Sequence, residues 1–223
     1  LVKYSSPYQV GWTSIAANIF TELSNAMPDA GEIDTVLGAG ESGVTVTQKV
    51  QYTDGASYYK ITWTITNSNS STKTYTNCKF FHGGDAWFGG HDGAQAYWDG
   101  SLGMVYLRNE HDEGVTGIMG FYGGLNSRAD AYFGGIYSTG NNQALGDGQL
   151  SNEVDSNYRD AGYYLQWNRD SLAPGETWTI TAYEKWTDAG NVQVMAPAEQ
   201  TVTKGETVDL TFTIQNFQSA DDT

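Results

Sequence analysis

His82, Asp85, His91 and Asp92 fall within eleven residues of one another. Imidazoles and carboxylates are the groups that ligate metals or move protons. The spacing of the two histidines across a Gly-rich loop matches no closed zinc pattern, so solvated, turn-forming polar residues are the simpler expectation. Asp85, Asp92 and Asp99, together with loop carbonyls, offer the hard oxygen ligands that suit calcium, although no EF-hand spacing is present. No other cofactor is implied. His111, in Asn109-Glu110-His111-Asp112-Glu113-Gly114, is the next imidazole along the chain. Glu184 shares a strand face with Ile180 and Trp186, where an unpaired charge costs on the order of several kcal/mol. Either the face has reached the sheet rim by residue 184 or Glu184 is a pocket carboxylate. The loop residues that follow favour the rim.

The aromatic residues cluster in the same region: Trp87, Phe88, Tyr97 and Trp98, then Phe121, Tyr122, Tyr132, Phe133 and Tyr137. Such rings fill the space between two sheets, and their faces also stack on sugar C–H bonds. Core filling is the simpler expectation, while the mixing with Asp, Asn, Gln and Gly in loops makes carbohydrate recognition the functional one. The candidate ligand-binding residues are therefore His82, Asp85, Trp87, His91, Asp92, Trp98, His111 and Glu184. No catalytic set is assigned, and no metal ligand set is fixed.

The elements that must position these residues are strands. In Val44 to Tyr52 the apolar residues occupy every second position, and Asp54-Gly55 follows as a turn signal. Ile61, Trp63 and Ile65 share one face of the next strand. Tyr75 to Phe81 and Gly103 to Leu107 read as further strands. Trp178, Ile180, Ala182, Glu184 and Trp186 share one face of a strand entered through Leu172-Ala173-Pro174-Gly175-Glu176-Thr177. Thr13 to Met27 is the one helix-like stretch, with Ile15, Ile19, Phe20, Leu23 and Met27 on one face and Pro28 as its stop. Asp85-Ala86-Trp87-Phe88-Gly89-Gly90 nearly returns as Asp130-Ala131-Tyr132-Phe133-Gly134-Gly135, which predicts two equivalent strand-to-loop corners. From about Val192 the style changes. A Pro-led segment, the Lys204-Gly205-Glu206 turn and an alternating run from Val208 to Ile214 read as the opening of an immunoglobulin-like domain. The chain thus divides into a β-sandwich domain over 1–190 and the start of an Ig-like domain, or docking strands, over 191–223.

With 26 acidic against 11 basic residues the net charge is −15, which disfavours nucleic acid and anionic membrane surfaces as partners. No stretch is apolar enough to span a bilayer, so membrane insertion is not expected. Charged residues make up only 17% of the chain and Cys78 is the single cysteine, so solubility rests on Ser, Thr, Asn, Gln and Gly and no internal disulfide is available. That style, with a chain beginning at Leu1, reads as a secreted or cell-surface protein whose partners are glycans or other surface-protein subunits.

Two segments resemble the galactose mutarotase-like supersandwich family. One is Trp63-Thr64-Ile65-Thr66-Asn67, then a polar loop and Phe80-Phe81-His82-Gly83-Gly84-Asp85-Ala86-Trp87-Phe88-Gly89. The other is Leu172-Ala173-Pro174-Gly175-Glu176-Thr177-Trp178. The resemblance implies an all-β, antiparallel β-sandwich of supersandwich type, to which the sequence adds one short N-terminal helix. In that family two histidines and a carboxylate act on the anomeric centre of a sugar. Only His82 falls near such a position, its spacing is stretched by Gly83 and Gly84, and Gly89 replaces the expected Asn. The expectation is accordingly a non-catalytic surface or adhesion module that recognises carbohydrate. Its alternative is an epimerase-like or lyase-like carbohydrate-active enzyme using His82 with His111 or Glu184.

Overall fold

A strand exposes successive side chains to opposite faces, and the period-two segments of this chain use that property to build two facing layers. The computed structural model describes residues 20–187 apart from 69, 88 and 116, and then 192–195, 203, 205, 207–209 and 211–216. Its elements are β1 (Phe20–Asp29), β2 (Glu32–Ala39), β3 (Val44–Tyr52), β4 (Tyr58–Asn67), β5 (Tyr75–Asp85), β6 (Gly93–Asp99), β7 (Met104–Arg108), β8 (Ile118–Gly123) and β9 (Ala131–Ile136). Helix α1 (Tyr137–Asn142) and a π-helical turn follow, then β10 (Glu153–Val154), β11 (Arg159–Leu172), β12 (Thr177–Thr187), β13 (Val192–Met195) and β14 (Thr213–Asn216).

One continuous twelve-stranded sheet folds over on itself. The long layer runs β1-β2-β3-β4-β12-β8-β7-β6, and the short layer holds β9 and β10 on one side of β11 and β5 on the other. The short pairing of Arg159 with Ala94 and Asp160 with Gly93 joins the layers. Between them lie Trp63, Ile61, Ile65, Phe121, Val105, Leu107, Ile180 and Ala182 from the long layer, and Leu165, Trp167 and Tyr163 from the short one. Trp63 is 2% exposed and packs on Phe80 at 5.1 Å and Trp167 at 5.8 Å between ring centroids. Its indole N–H donates to Gln48 Oε1 at 2.9 Å, as a buried Trp requires. The all-β sandwich expected from the alternation is the observed architecture.

Asn67, fully buried at the end of β4, links the two motif segments singled out in the sequence. Its N–H donates to the Glu176 carbonyl at 3.0 Å, its carbonyl accepts from Gly175 N–H at 2.8 Å, and its amide nitrogen donates to the Leu172 carbonyl at 3.0 Å. The Pro-Gly-Glu turn is therefore docked on the Thr-Asn strand end by backbone and side chain together. Asp54-Gly55 does connect β3 to β4, with Gly55 at φ 82°, a conformation open to glycine at little cost.

Three expectations change. The described part of Thr13–Met27, from Phe20 onward, is strand β1, paired with β2 from Phe20↔Ala39 to Asp29↔Glu32 with two irregularities. Among the described residues the short helix lies at Tyr137–Asn142, and residues 13–19 of the expected helix fall outside them. Thr21, Ser24 and Asn25 are poor helix formers, and pairing with β2 overrides the apolar spacing. The near-repeat does not form two equivalent corners: Asp85 ends β5 and leads into a loop, whereas Ala131–Gly135 lies inside β9. Gly134 is needed there for packing, since a Cβ would stand 2.8 Å from Val105 and 2.9 Å from Ala96. In the run Val208–Ile214, Leu210 lies outside the described residues, while Val208, Asp209, Thr211 and Phe212 are not in strand. Strand begins at Thr213, where β14 pairs with the four-residue β13 from Met195↔Thr213 to Val192↔Asn216.

Trp63 tests the register of the long layer. Trp63→Ala is expected to lower the unfolding free energy by about 3–5 kcal/mol; a melting temperature within a degree or two of the parent would contradict this packing.

Candidate functional site

The candidate residues separate into two groups. His82 and Glu184 point into the sandwich, and Asp85, Trp87, His91, Asp92 and His111 gather at one outer corner. Trp98 joins neither, because it packs against the core and stacks on Tyr132 at 3.6 Å with the rings nearly parallel.

In the interior, β12 places Glu184 opposite Tyr59 of β4 on one side and Phe121 of β8 on the other. The side chain is 7% exposed, so residue 184 is not at a sheet rim. Two phenols meet it: Tyr59 Oη donates to Oε2 and Tyr163 Oη, from β11 across the core, donates to Oε1. Burial raises the Glu184 carboxyl above its ordinary value, and the two hydrogen bonds oppose that rise. Burial and the Glu184 charge push both phenols up as well. His82 stands nearby on β5, its ring 4.6 Å from Trp63 and 5.1 Å from Phe121. Only half-buried by surface area, it is packed closely enough that burial lowers its pKa to about 4, which leaves it neutral at pH 7. It has no hydrogen-bond partner among the described residues.

The corner is built by two loops, 86–92 and 109–117, and by the start of β11. Asp112 is its hub. It accepts from Asn109 Nδ2 at 2.8 Å and Tyr158 Oη at 2.8 Å, and both histidines approach it through Nδ1, His91 at 3.2 Å and His111 at 3.2 Å. These partners, the Asn109 amide first, hold Asp112 down at about 2. His111 stacks on Tyr158 at 4.2 Å. The Tyr158 ring lies against Gly93, where a Cβ would have no room. Beside the hub, carboxylate oxygens of Asp85, Asp92 and Asp160 lie within 4.8 Å of one another. Burial and then the charges of Asp160 and Asp92 raise Asp85 to about 6. These three are the residues able to hold a hard cation such as calcium. Asp99 is not among them: it ends β6, the strand that begins just after Asp92, and there its Oδ1 accepts from the Ser101 N–H, the Ser101 hydroxyl and the Leu102 N–H in a turn. Trp87, in the same loop as His91, is 68% exposed.

Sequence reasoning picked out Glu184 but not its partners Tyr59 and Tyr163, which no local pattern marks. It also missed Asp112 and Asp160, whose roles arise only when distant loops meet. His82 and His111 are not brought together: one is inside against Trp63, the other is 63% exposed in its side chain.

No protein-family model matches the chain. Among solved structures it is similar to a heparan sulfate lyase mutant from Pedobacter heparinus, with 7% identity and a TM-score of 0.41 over 91% of this chain and 28% of that one. It is also similar to a GH36 α-galactosidase from Geobacillus stearothermophilus, with 11% identity and a TM-score of 0.35 over 74% of this chain and 25% of that one. The chain spans about a quarter of the length of these proteins. The site described above rests on none of these likenesses.

Two titrations test this electrostatic picture. Asp85 is expected to titrate near pH 6 by carboxyl NMR, and Asp160→Asn to bring it down toward the ordinary carboxylate range; an Asp85 already at that range in the parent would contradict the cluster. For Glu184 the folded pKa lies above the unfolded one, so its protonated form favours folding. That contribution is fully present below about pH 4.5 and is lost as pH rises through the folded pKa. The stability of the parent relative to Glu184→Gln should therefore fall as pH increases from 4; a flat difference would contradict the raised carboxyl.

Proposed function

We propose that this chain is a non-catalytic β-sandwich module of a secreted or cell-surface protein that binds glycan at the corner formed by loops 86–92 and 109–117. The observation that carries this reading is the separation of the acid–base groups. His82 is half-buried against the rings of Trp63 and Phe121, Glu184 has both oxygens engaged by tyrosines, and His91 and His111 sit on the surface sharing one carboxylate. General acid–base chemistry needs a donor and an acceptor on opposite sides of one reacting group, and the surface pair instead converges on one carboxylate, His91 at Oδ2 and His111 at Oδ1 of Asp112. What the corner offers is the exposed side chain of Trp87, in the same loop as His91 and Asp92 and next to the cluster of Asp85, Asp92 and Asp160 along the chain. Sugars are bound by such combinations, the ring C–H face on the aromatic and the hydroxyls on the polar groups. The segment over 191–223 is read as the start of an Ig-like module that continues the surface protein.

A second reading has one observation in its favour. His82 and Glu184 both border Phe121 on the inner faces, a neutral base beside a carboxyl with a raised pKa. An epimerase-like or lyase-like enzyme would use that pair once the tyrosines released the carboxyl.

The two readings part under assay. The module reading expects glycan-array binding that Trp87→Ala weakens by about tenfold, one stacking contact's worth, and no turnover of any bound sugar. Anomerisation or eliminative cleavage abolished by His82→Ala or Glu184→Gln would establish the second reading and overturn the first.

A further inference from the structure

The inner face of the long layer carries one row of side chains that crosses four strands. Tyr52 of β3 pairs with Tyr59 of β4, Tyr59 with Glu184 of β12, and Glu184 with Phe121 of β8. The Phe121 end is fully buried, and the other end is open: Tyr52 is 40% exposed. Trp186, two residues beyond Glu184 on the same face, covers that end. Its ring lies nearly parallel to Tyr52, at 6.1 Å and 27°, and tilted on Tyr59 at 5.8 Å. It is 37% exposed. Ile33, which β2 adds beside Val50, is 43% exposed at the same edge of the layer.

Two large rings left half in water beside each other mark a contact surface more often than a single exposed aromatic does. Neither the Trp186 indole N–H nor the Tyr52 hydroxyl has a hydrogen-bond partner among the described residues. Trp186 also rests on a ring whose hydroxyl is bonded. Tyr59, beneath Trp186, has its hydroxyl fixed by Glu184, and Glu184 is fixed in turn by Tyr163 from the opposite layer. A contact face whose rings are oriented before binding loses less freedom on binding.

We propose that Tyr52 and Trp186 form a stacking platform for a neutral sugar residue, and that Glu184 acts as its positioning residue through Tyr59. The neutral class follows from the charges. The only ionisable carboxyl in the row is closed off by both tyrosines, and a chain of net charge −15 repels acidic glycans. The inference shares with the reading above the premise that the ligand is carbohydrate, but it stands on β3 and β12 rather than on the loop of Trp87; both lie toward the same end of the strands, since Trp186 pairs with Met119 at the start of β8, just beyond loop 109–117.

The test uses the intact chain and a set of neutral gluco-, galacto- and manno-oligosaccharides, followed by indole N–H shifts in NMR and by calorimetry. The expected result is a saccharide that shifts the Trp186 indole. Trp186→Ala and Tyr52→Ala should each weaken its binding by about tenfold or more, as expected for a lost stacking contact, while Trp87→Ala leaves it unchanged. Tyr59→Phe, which keeps the ring but drops the hydroxyl, should weaken binding by a smaller factor in a protein whose circular dichroism matches the parent. A saccharide whose binding depends on Trp87 and not on Trp186 would overturn this platform and leave the corner reading intact. Dependence on Trp186 without Trp87 supports the platform for that saccharide and leaves the corner reading to its own glycan-array assay. No shift of the Trp186 indole with any neutral saccharide, or a shift only with a proline-rich peptide, would also overturn it.

Discussion

Glu184 stands in the middle of a core of Trp, Phe and Leu side chains, where an isolated carboxylate is among the least tolerated groups. It stays because Tyr59 from its own layer and Tyr163 from the facing layer each give it a hydroxyl. Those two contacts offset part of the cost of burying the carboxyl and cross-link the sheets. Hydrophobic packing alone fixes how close two layers come, but it is tolerant of sliding. A hydrogen-bonded trio has one geometry, so it fixes where along the strands β11 lies over β12 and β4. The placement of His82 beside Phe121 and of Trp186 over Tyr59 both follow from that registration.

The two electrostatic environments of the molecule differ in kind. In the interior, burial dominates: it raises Glu184 and the phenols and lowers His82. Lys185, on the opposite face of β12 from Glu184, is lowered to about 8 by burial as well. At the corner, neighbours decide the outcome. Asp112 is surrounded by donors and falls to about 2, while Asp85, a short distance away, meets two more carboxylates and rises to about 6. Corner interactions face water and are screened by salt, whereas those around Glu184 are not. Ligand-dependent behaviour at the corner should therefore change with ionic strength while the sandwich itself does not.

Much of this fold was written locally. Val44–Tyr52, the Trp63 strand and the Trp178–Trp186 strand declare themselves by alternation and are found as β3, β4 and β12. The candidate site was legible only in part. Glu184 stood out because a charge on an apolar strand face breaks the pattern, yet its environment was misread as a rim. The partners that enclose it lie 125 and 21 residues away, and a tyrosine in a strand gives no sign of where its hydroxyl will point. Asp99 looked equivalent to Asp85 and Asp92, but it spends its oxygen on its own turn while Asp160 arrives from β11. Thr13–Met27 reads as helix because its apolar residues fall at helical intervals, whereas the pairing of Phe20–Asp29 with β2 is a long-range choice that spacing cannot express.

The claim on which the structure rests is that Glu184 and Tyr163 act as one unit across the core. A double-mutant cycle with Glu184→Ala and Tyr163→Phe, read by urea denaturation, measures this directly. Each single change should destabilise the protein, Glu184→Ala by about 1–3 kcal/mol or more because it leaves two hydroxyls unsatisfied. The double variant should be less destabilised than the sum, with a coupling of at least about 1 kcal/mol. Losses that simply add, to within about 0.5 kcal/mol, would show that the two groups do not depend on each other and that the layers are registered without this trio, by packing, the β6–β11 pairing and Asn67.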